Sequence, residues 1–181
     1  YYSLIDEENI FMLLDLRSST IIAEKIGHKK YSELIQECIK DITIIGDYVE
    51  VVYQYVVDEA LFTWNARKKN AHRKSIQAFY AFQGRIASKK DHYHSKYGLV
   101  PVFKAGLHGG TVMVAEVGIL KKEIAFHGDT INTAARIQSL CNEKGKILLT
   151  SDYFRGLAKE NGDFRWEDIG NIILKGRKGQ T

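Results

Sequence analysis

Ile10-Phe11-Met12-Leu13-Leu14-Asp15-Leu16-Arg17-Ser18-Ser19-Thr20 changes character twice in a short span. The unbroken apolar run is too short for a helix and predicts a strand buried on both faces. Asp15 ends it, and a carboxylate at the end of such a strand is unusual. Hydroxyls at Ser18, Ser19 and Thr20 then precede Ile21, Ile22 and Ile26 at helical spacing, so a helix begins with capping hydroxyls and stops at Gly27.

Outward from this stretch the pattern alternates. Leu34, Ile35, Cys38, Ile39, Ile42 and Ile45 recur every three or four residues, a second helix ended by Gly46. Tyr48 to Val56 and Ala60 to Trp64 read as strands joined by a tight hairpin, Val57-Asp58-Glu59. Asn70 to about Lys96 reads as one long helix with Ile76, Phe79/Tyr80, Gln83, Ile86/Ala87, Lys90 and Tyr93 inward. Val102 to Leu107 and Thr111 to Val117 read as two strands turned at His108-Gly109-Gly110. A strand over Glu123 to Phe126, a helix from Thr130 to about Asn142, a strand over Ile147 to Thr150, a short helix over Asp152 to Leu157 and strand material over Phe164 to Leu174 complete the chain. Paired strands with interleaved helices imply an α/β (α+β) sandwich on a mainly antiparallel sheet, not a doubly wound fold. Neither a G-x-G-x-x-G after a strand nor a G-x-x-x-x-G-K-[ST] occurs, which removes dinucleotide and P-loop readings.

The chain has 181 residues, 45% hydrophobic and 27% charged, which fits one globular domain over 1–181 and excludes disordered and collagenous classes. No apolar run approaches the roughly 20 residues that cross a bilayer. Its first residues, Tyr-Tyr-Ser, carry neither Met nor a basic leader, so a fragment of a longer parent is expected. Lys+Arg 26 against Asp+Glu 22 gives +4, suited to a polyphosphate but short of a nucleic-acid binder. Cys38 and Cys141 fall in helical apolar patterns and are expected as buried thiols in a reducing compartment, not a disulfide or zinc site. A lone Pro101 leaves no Pro-rich linker.

Asp15 and Asp58 would meet at one sheet edge, a geometry suited to two hard cations completed by substrate phosphates. Between them, Leu16, Arg17, Ser18, Ser19 and Thr20 run into a helix start, where backbone N–H groups hold phosphate. The same residues also suit a plain helix cap. Asn132 and Arg136, four apart, share one helix face and could orient a ribose and neutralise a phosphate, or be ordinary surface groups. Lys175, Arg177 and Lys178 form a basic tail that could reach a triphosphate or stay solvated.

Taken together, F-x-x-x-D-L-x-S-S-T at Phe11 to Thr20, the Asp58-Glu59 hairpin, G-D-T-I-N-T-A-A-R at Gly128 to Arg136 and L-K-G-R at Leu174 to Arg177 resemble the class III nucleotidyl cyclase catalytic domain, in order and over nearly the whole chain. The resemblance implies a ferredoxin-like sandwich and a homodimer whose sites take the aspartates from one chain and the Asn/Arg helix from the other. It implies Asp15 and Asp58 as ligands of two Mg2+ or Mn2+ ions per site, backbone from Leu16 to Thr20 around the β- and γ-phosphates, Asn132 on the ribose, Arg136 on the α-phosphate, and Lys175 or Arg177 on the triphosphate. The implied reaction turns a nucleoside triphosphate into its 3′,5′-cyclic monophosphate and pyrophosphate for signalling. Such domains are often the cytoplasmic output of a longer, sometimes membrane-anchored receptor, so an upstream sensor or membrane region and a cytoplasmic location are expected, with no nucleic-acid partner.

Base choice in the family rests on two positions, Lys with Asp or Thr for adenine and Glu with Cys for guanine. Here they are Gln54 and Ala125, matching neither code, with His127 nearby as a further hydrogen-bonding group. A Gln amide can serve either purine. ATP is the favoured substrate; GTP, a pyrimidine triphosphate, and a weakly catalytic module that binds nucleotide or dimerises are the alternatives. Val57 stands where the family usually has Gly, so the hairpin is expected to differ or carry strain, with lower activity a consequence. The family also adds a last strand beyond Thr181.

Overall fold

The computed structural model describes residues 5–48, 51–56, 58–117, 123–158 and 164–172, without the side chains of 51–54, 56, 117, 123 and 124. Strand β1 (Ile5–Leu16) pairs with β3 (Glu59–Asn65) on one side and β4 (Phe103–Val117) on the other. Strand β2 (Val51–Val56) flanks β3, and β5 (Glu123–His127) flanks β4, giving the antiparallel order β2-β3-β1-β4-β5. Strand β6 (Leu148–Thr150) pairs in parallel with Ala105 to Leu107 of β4. This is the mixed, mainly antiparallel architecture that the alternation implied.

Period-two alternation explains why the opening run is apolar throughout. Ile10, Met12, Leu14 and Leu16 point into the larger core with Phe62, Trp64, Phe79, Phe82 and Tyr93. Phe11 and Leu13 face the opposite way, against Leu61, Val112 and Ala134. Asp15, one step on from Leu14, falls on the second face. Helices α1 (Ser19–Ile26), α2 (His28–Ile42), α3 (Ala71–Ser88) and α4 (Lys90–Tyr97) follow the expected order, with a 3-10 turn over Thr43–Asp47 before β2. Helices α5 (Asp129–Ser139), α6 (Cys141–Lys144) and α7 (Asp152–Ala158) complete the elements.

The structure corrects several expectations. His108-Gly109-Gly110 is not a turn: β4 runs straight through it, with His108, Gly109 and Gly110 opposite Phe11, Ile10 and Asn9. Its glycines admit α5. A Cβ on Gly106 would lie 2.5 Å from the backbone nitrogen of Gln138, and one on Gly110 would lie 2.8 Å from Thr130 Oγ1. The long helix divides at Lys89, whose ammonium reaches both oxygens of buried Asp41 at 2.9 and 3.0 Å. Its inner stripe uses Phe82, whereas Tyr80 is 54% exposed and Ala87 and Lys90 also face solvent. Tyr48 precedes β2 and accepts a 2.6 Å bond from the Trp64 indole. The predicted last helix turn past Ser139 is the separate α6, and residues 164–172 form no strand. Ser18 does precede α1, but in a left-handed conformation (φ 59°) and without a side-chain cap bond.

Cys38 and Cys141 are free and buried as expected, and burial pushes their thiols up to about 12 and about 11. No helix among the described residues is long and apolar enough to cross a membrane.

Candidate active site

Both metal-ligand candidates sit at one end of the sheet. Asp15 lies opposite Glu59 of β3 and Lys104 of β4. Asp58, in the turn before β3, accepts the Leu16 amide on its backbone carbonyl at 3.2 Å. The Asp58 carboxylate is close enough to raise the proton affinity of Asp15, although burial is the larger cause of that group's upward shift. Glu59 is raised by burial and then by Asp15 and Asp58. Tyr31 of α2 rises to about 12, through burial first and then the charge of Asp58. The strand end is therefore a pocket of concentrated negative charge.

Lys104 and Gln138 answer that charge, and neither stands out in the sequence. Lys104 Nζ lies 3.3 Å from Asp15 Oδ2, and Gln138 Nε2 donates to the same oxygen at 2.9 Å. Both side chains belong to buried residues. A buried cation beside a half-buried carboxylate is a tertiary pairing set by the β1–β4 register, which no local pattern announces.

The loop entering α1 narrows the phosphate cradle. The Leu16 amide is held by the Asp58 carbonyl and the Arg17 amide donates to the Val102 carbonyl at 2.8 Å, so neither is available to a phosphate in this arrangement. Ser18, Ser19 and Thr20 stand at the helix start, where the first N–H groups lack an intrahelical acceptor. The Arg17 guanidinium turns toward α6 and donates to Asn142 Oδ1 at 3.1 Å.

On α5, Thr133, Ala134, Ile137 and Gln138 are buried while Asn132 is exposed. The Arg136 guanidinium, 31% exposed, lies 3.5 Å from Asp129 Oδ1, a long contact at the surface. At about 100° per residue, Asn132 and Arg136 project from the side of the helix opposite Gln138. One chain therefore turns its Asn/Arg face away from its own Asp15. Ala125 is half-buried opposite Ala115, and His127 is exposed opposite Met113. Gln54 pairs with Leu61 beside a register shift in β2. Val57, Lys175, Arg177 and the side chain of Gln54 lie outside the described residues.

Residues 17–181 match the family model described as adenylate and guanylate cyclase catalytic domain. Adenylate cyclase 2 of Rhizobium meliloti is 32% identical over 179 residues, covering 98% of this chain and 49% of that protein. Receptor-type guanylate cyclase gcy-20 of Caenorhabditis elegans is 34% identical over 74 residues, covering 41% of this chain and 7% of that protein. The chain thus spans about half the length of the first relative and a small part of the second. Among solved structures, the adenylyl cyclase CyaB from P. aeruginosa superimposes with a TM-score of 0.85 at 15% identity, covering 98% of this chain and 92% of that one. The guanylate cyclase domain of RhGC from Catenaria anguillulae, solved with GTP, gives 0.77 at 21% identity, covering 97% and 94%. Matched over residues 17–181 by the family model, this chain belongs to the adenylate and guanylate cyclase catalytic domain family, whose members are lyases that make cyclic nucleotides.

Proposed function

We propose that two copies of this chain convert a nucleoside triphosphate, ATP in the first place, to its 3′,5′-cyclic monophosphate and pyrophosphate. The observation that carries this reading is the orientation of α5. Gln138 grips Asp15 from one side of the helix, and Asn132 and Arg136 leave from the other. A site needing both sets of residues is completed by a second copy, with Asp15 and Asp58 of one chain facing Asn132 and Arg136 of its partner.

The donor set fits a pair of hard cations. Among the described residues no cluster of three or more His, Cys, Asp or Glu side chains could hold a metal unaided, and two carboxylates plus substrate phosphates is the set magnesium commonly takes. Asp15 and Asp58 would hold two Mg2+ or Mn2+ ions, which when bound make the ribose 3′-hydroxyl more acidic and neutralise triphosphate charge. The backbone at Ser18 to Thr20 holds the β- and γ-phosphates at the start of α1. Asn132 fixes the ribose so that its 3′-oxygen lies in line with the α-phosphorus. That oxygen gives up its proton to solvent and forms the new bond to the α-phosphorus as the bond to the β-phosphate oxygen breaks and pyrophosphate leaves. Arg136 stabilises the charge that builds on the α-phosphate oxygens, and Lys175 or Arg177 pairs with the departing pyrophosphate. Gln54, Ala125 and His127 line the base end; a Gln amide that donates to adenine N1 and accepts from its amino group favours ATP.

Incubating the purified protein with Mn2+ and each of the four nucleoside triphosphates, with cyclic products read by mass spectrometry, tests the proposal. A cyclic nucleotide with stoichiometric pyrophosphate is expected, cyclic AMP fastest. Nucleotide binding without any cyclic product would assign the chain instead to a non-catalytic binding and dimerisation role.

A further inference from the structure

Asp15 is held by two groups that both end on one of its oxygens. Gln138 Nε2 lies 2.9 Å and Lys104 Nζ 3.3 Å from Oδ2. The two donors come from different elements. Lys104 is the cross-strand neighbour of Asp15 on β4, whereas Gln138 descends from α5, which reaches the sheet because Gly106 leaves no side chain in its way. Gln138 is 5% exposed, and a buried amide without a partner would be costly, so its side chain is committed to this bond. A neutral amide suits this position because it orients a carboxylate without cancelling the charge a cation needs.

We propose that Gln138 is the positioning residue of Asp15, turning Oδ2 inward beside Lys104 and presenting Oδ1 as the oxygen offered to a divalent cation. The proposal rests on the metal-site reading of Asp15. Outer groups of this kind commonly change metal affinity or activity by 10- to 100-fold when removed. Gln138 touches neither substrate nor cation, so its effect must pass through Asp15.

The test replaces Gln138 by Met, which preserves length and volume and removes the amide. Mn2+ binding to the purified protein is followed by electron paramagnetic resonance of the free ion, in the presence of a 3′-deoxynucleoside triphosphate that cannot cyclise. Gln138→Met is expected to weaken Mn2+ binding about 10-fold. Unchanged binding in Gln138→Met, with binding lost in Asp15→Ala, overturns this inference alone. Unchanged binding in Asp15→Ala overturns the metal-site reading, and this inference with it. A second arm separates positioning from packing. In a heterodimer of an Arg136→Ala chain with an Asp15→Ala chain, only the first supplies Asp15 to the intact site. Gln138→Met placed in that chain should raise the Mn2+ concentration for half-maximal rate about 10-fold, and in the other chain should leave it unchanged. Equal effects in both chains would mean that Gln138 merely packs α5. Should Gln138→Met not fold, the side-chain amide of Gln138 in the native protein is read by NMR. Slow proton exchange that becomes fast in Asp15→Ala supports the bond, and exchange as fast as a free amide in the native protein refutes it.

Discussion

Gly106 on β4 and Ala134 on α5 meet so closely that a methyl group on the glycine would lie 2.4 Å from the alanine's carbonyl oxygen. The same virtual methyl would meet the backbone nitrogen of Gln138 at 2.5 Å. These are backbone atoms of a helix and cannot yield as a flexible side chain does. Gly106→Ala must therefore lift α5 off the sheet, at an overpacking cost of about 2–3 kcal/mol. The lift also withdraws Gln138 from Asp15 and shifts Arg136, so activity should fall more than stability predicts. Thermal melts beside initial rates check this; a variant with native stability and rate would show that α5 has slack against β4.

That contact also explains what the sequence could and could not disclose. The run from Ile10 to Leu14 with Asp15 at its end was legible because burial on both faces and a sudden acid are local signals. Helical spacing placed Asn132 and Arg136 on one face of α5, but spacing alone suited ordinary surface groups as well, and only the resemblance assigned them roles. His108-Gly109-Gly110 was not legible, since glycine in a strand looks like glycine in a turn until a helix is known to lie across it. Lys104 and Gln138 were hidden for a related reason. A lone cation in a strand and a lone amide in a helix acquire meaning only when the β1–β4 register and the seat of α5 bring both to Asp15 Oδ2. Phe82 is in the core instead of Tyr80 because it stands three after Phe79 and four before Ile86, on the buried stripe of α3 itself.

The opposed faces of α5 make a complementation experiment decisive. Asp15→Ala and Arg136→Ala should each abolish turnover as homodimers. Mixed in equal amounts, with exchange of subunits, half the dimers are heterodimers with one intact site, so about a quarter of native activity should return. Heterodimer formation is confirmed by differential tagging. No recovery from confirmed heterodimers would place Asp15 and Arg136 in the same site of one chain.

Base preference should move with two positions. Gln54→Glu with Ala125→Cys supplies an acceptor for guanine N1–H and should shift the ratio of GTP to ATP turnover upward by about 10-fold or more, equivalent to about 1.4 kcal/mol. Gln54→Lys with Ala125→Asp should move it the opposite way. Competition between the two triphosphates, read as kcat/KM ratios, is the measurement. An unchanged ratio in both double variants would locate base recognition elsewhere, with His127 the next residue to replace.

Acid stability should report on the contact between α2 and α4. Burial by itself would raise the Glu37 carboxyl, but hydrogen bonds from Lys96, His92 and Tyr97 outweigh it and hold the group at about 2, below its ordinary 4.5. His92 Nε2 and Tyr97 Oη approach the carboxylate at 2.6 and 2.9 Å, and the Lys96 ammonium pairs with it as well. A carboxyl with a depressed folded-state pKa binds fewer protons folded than unfolded. Its contribution is thus complete above about 4.5 and disappears as pH falls toward about 2. Urea melts from pH 6 down to pH 3 should show stability declining over the lower part of that range. Glu37→Gln should be less stable than the native chain at pH 6, with the gap closing as pH falls; a gap that stays constant with pH would mean that the three donors do not depend on the Glu37 charge.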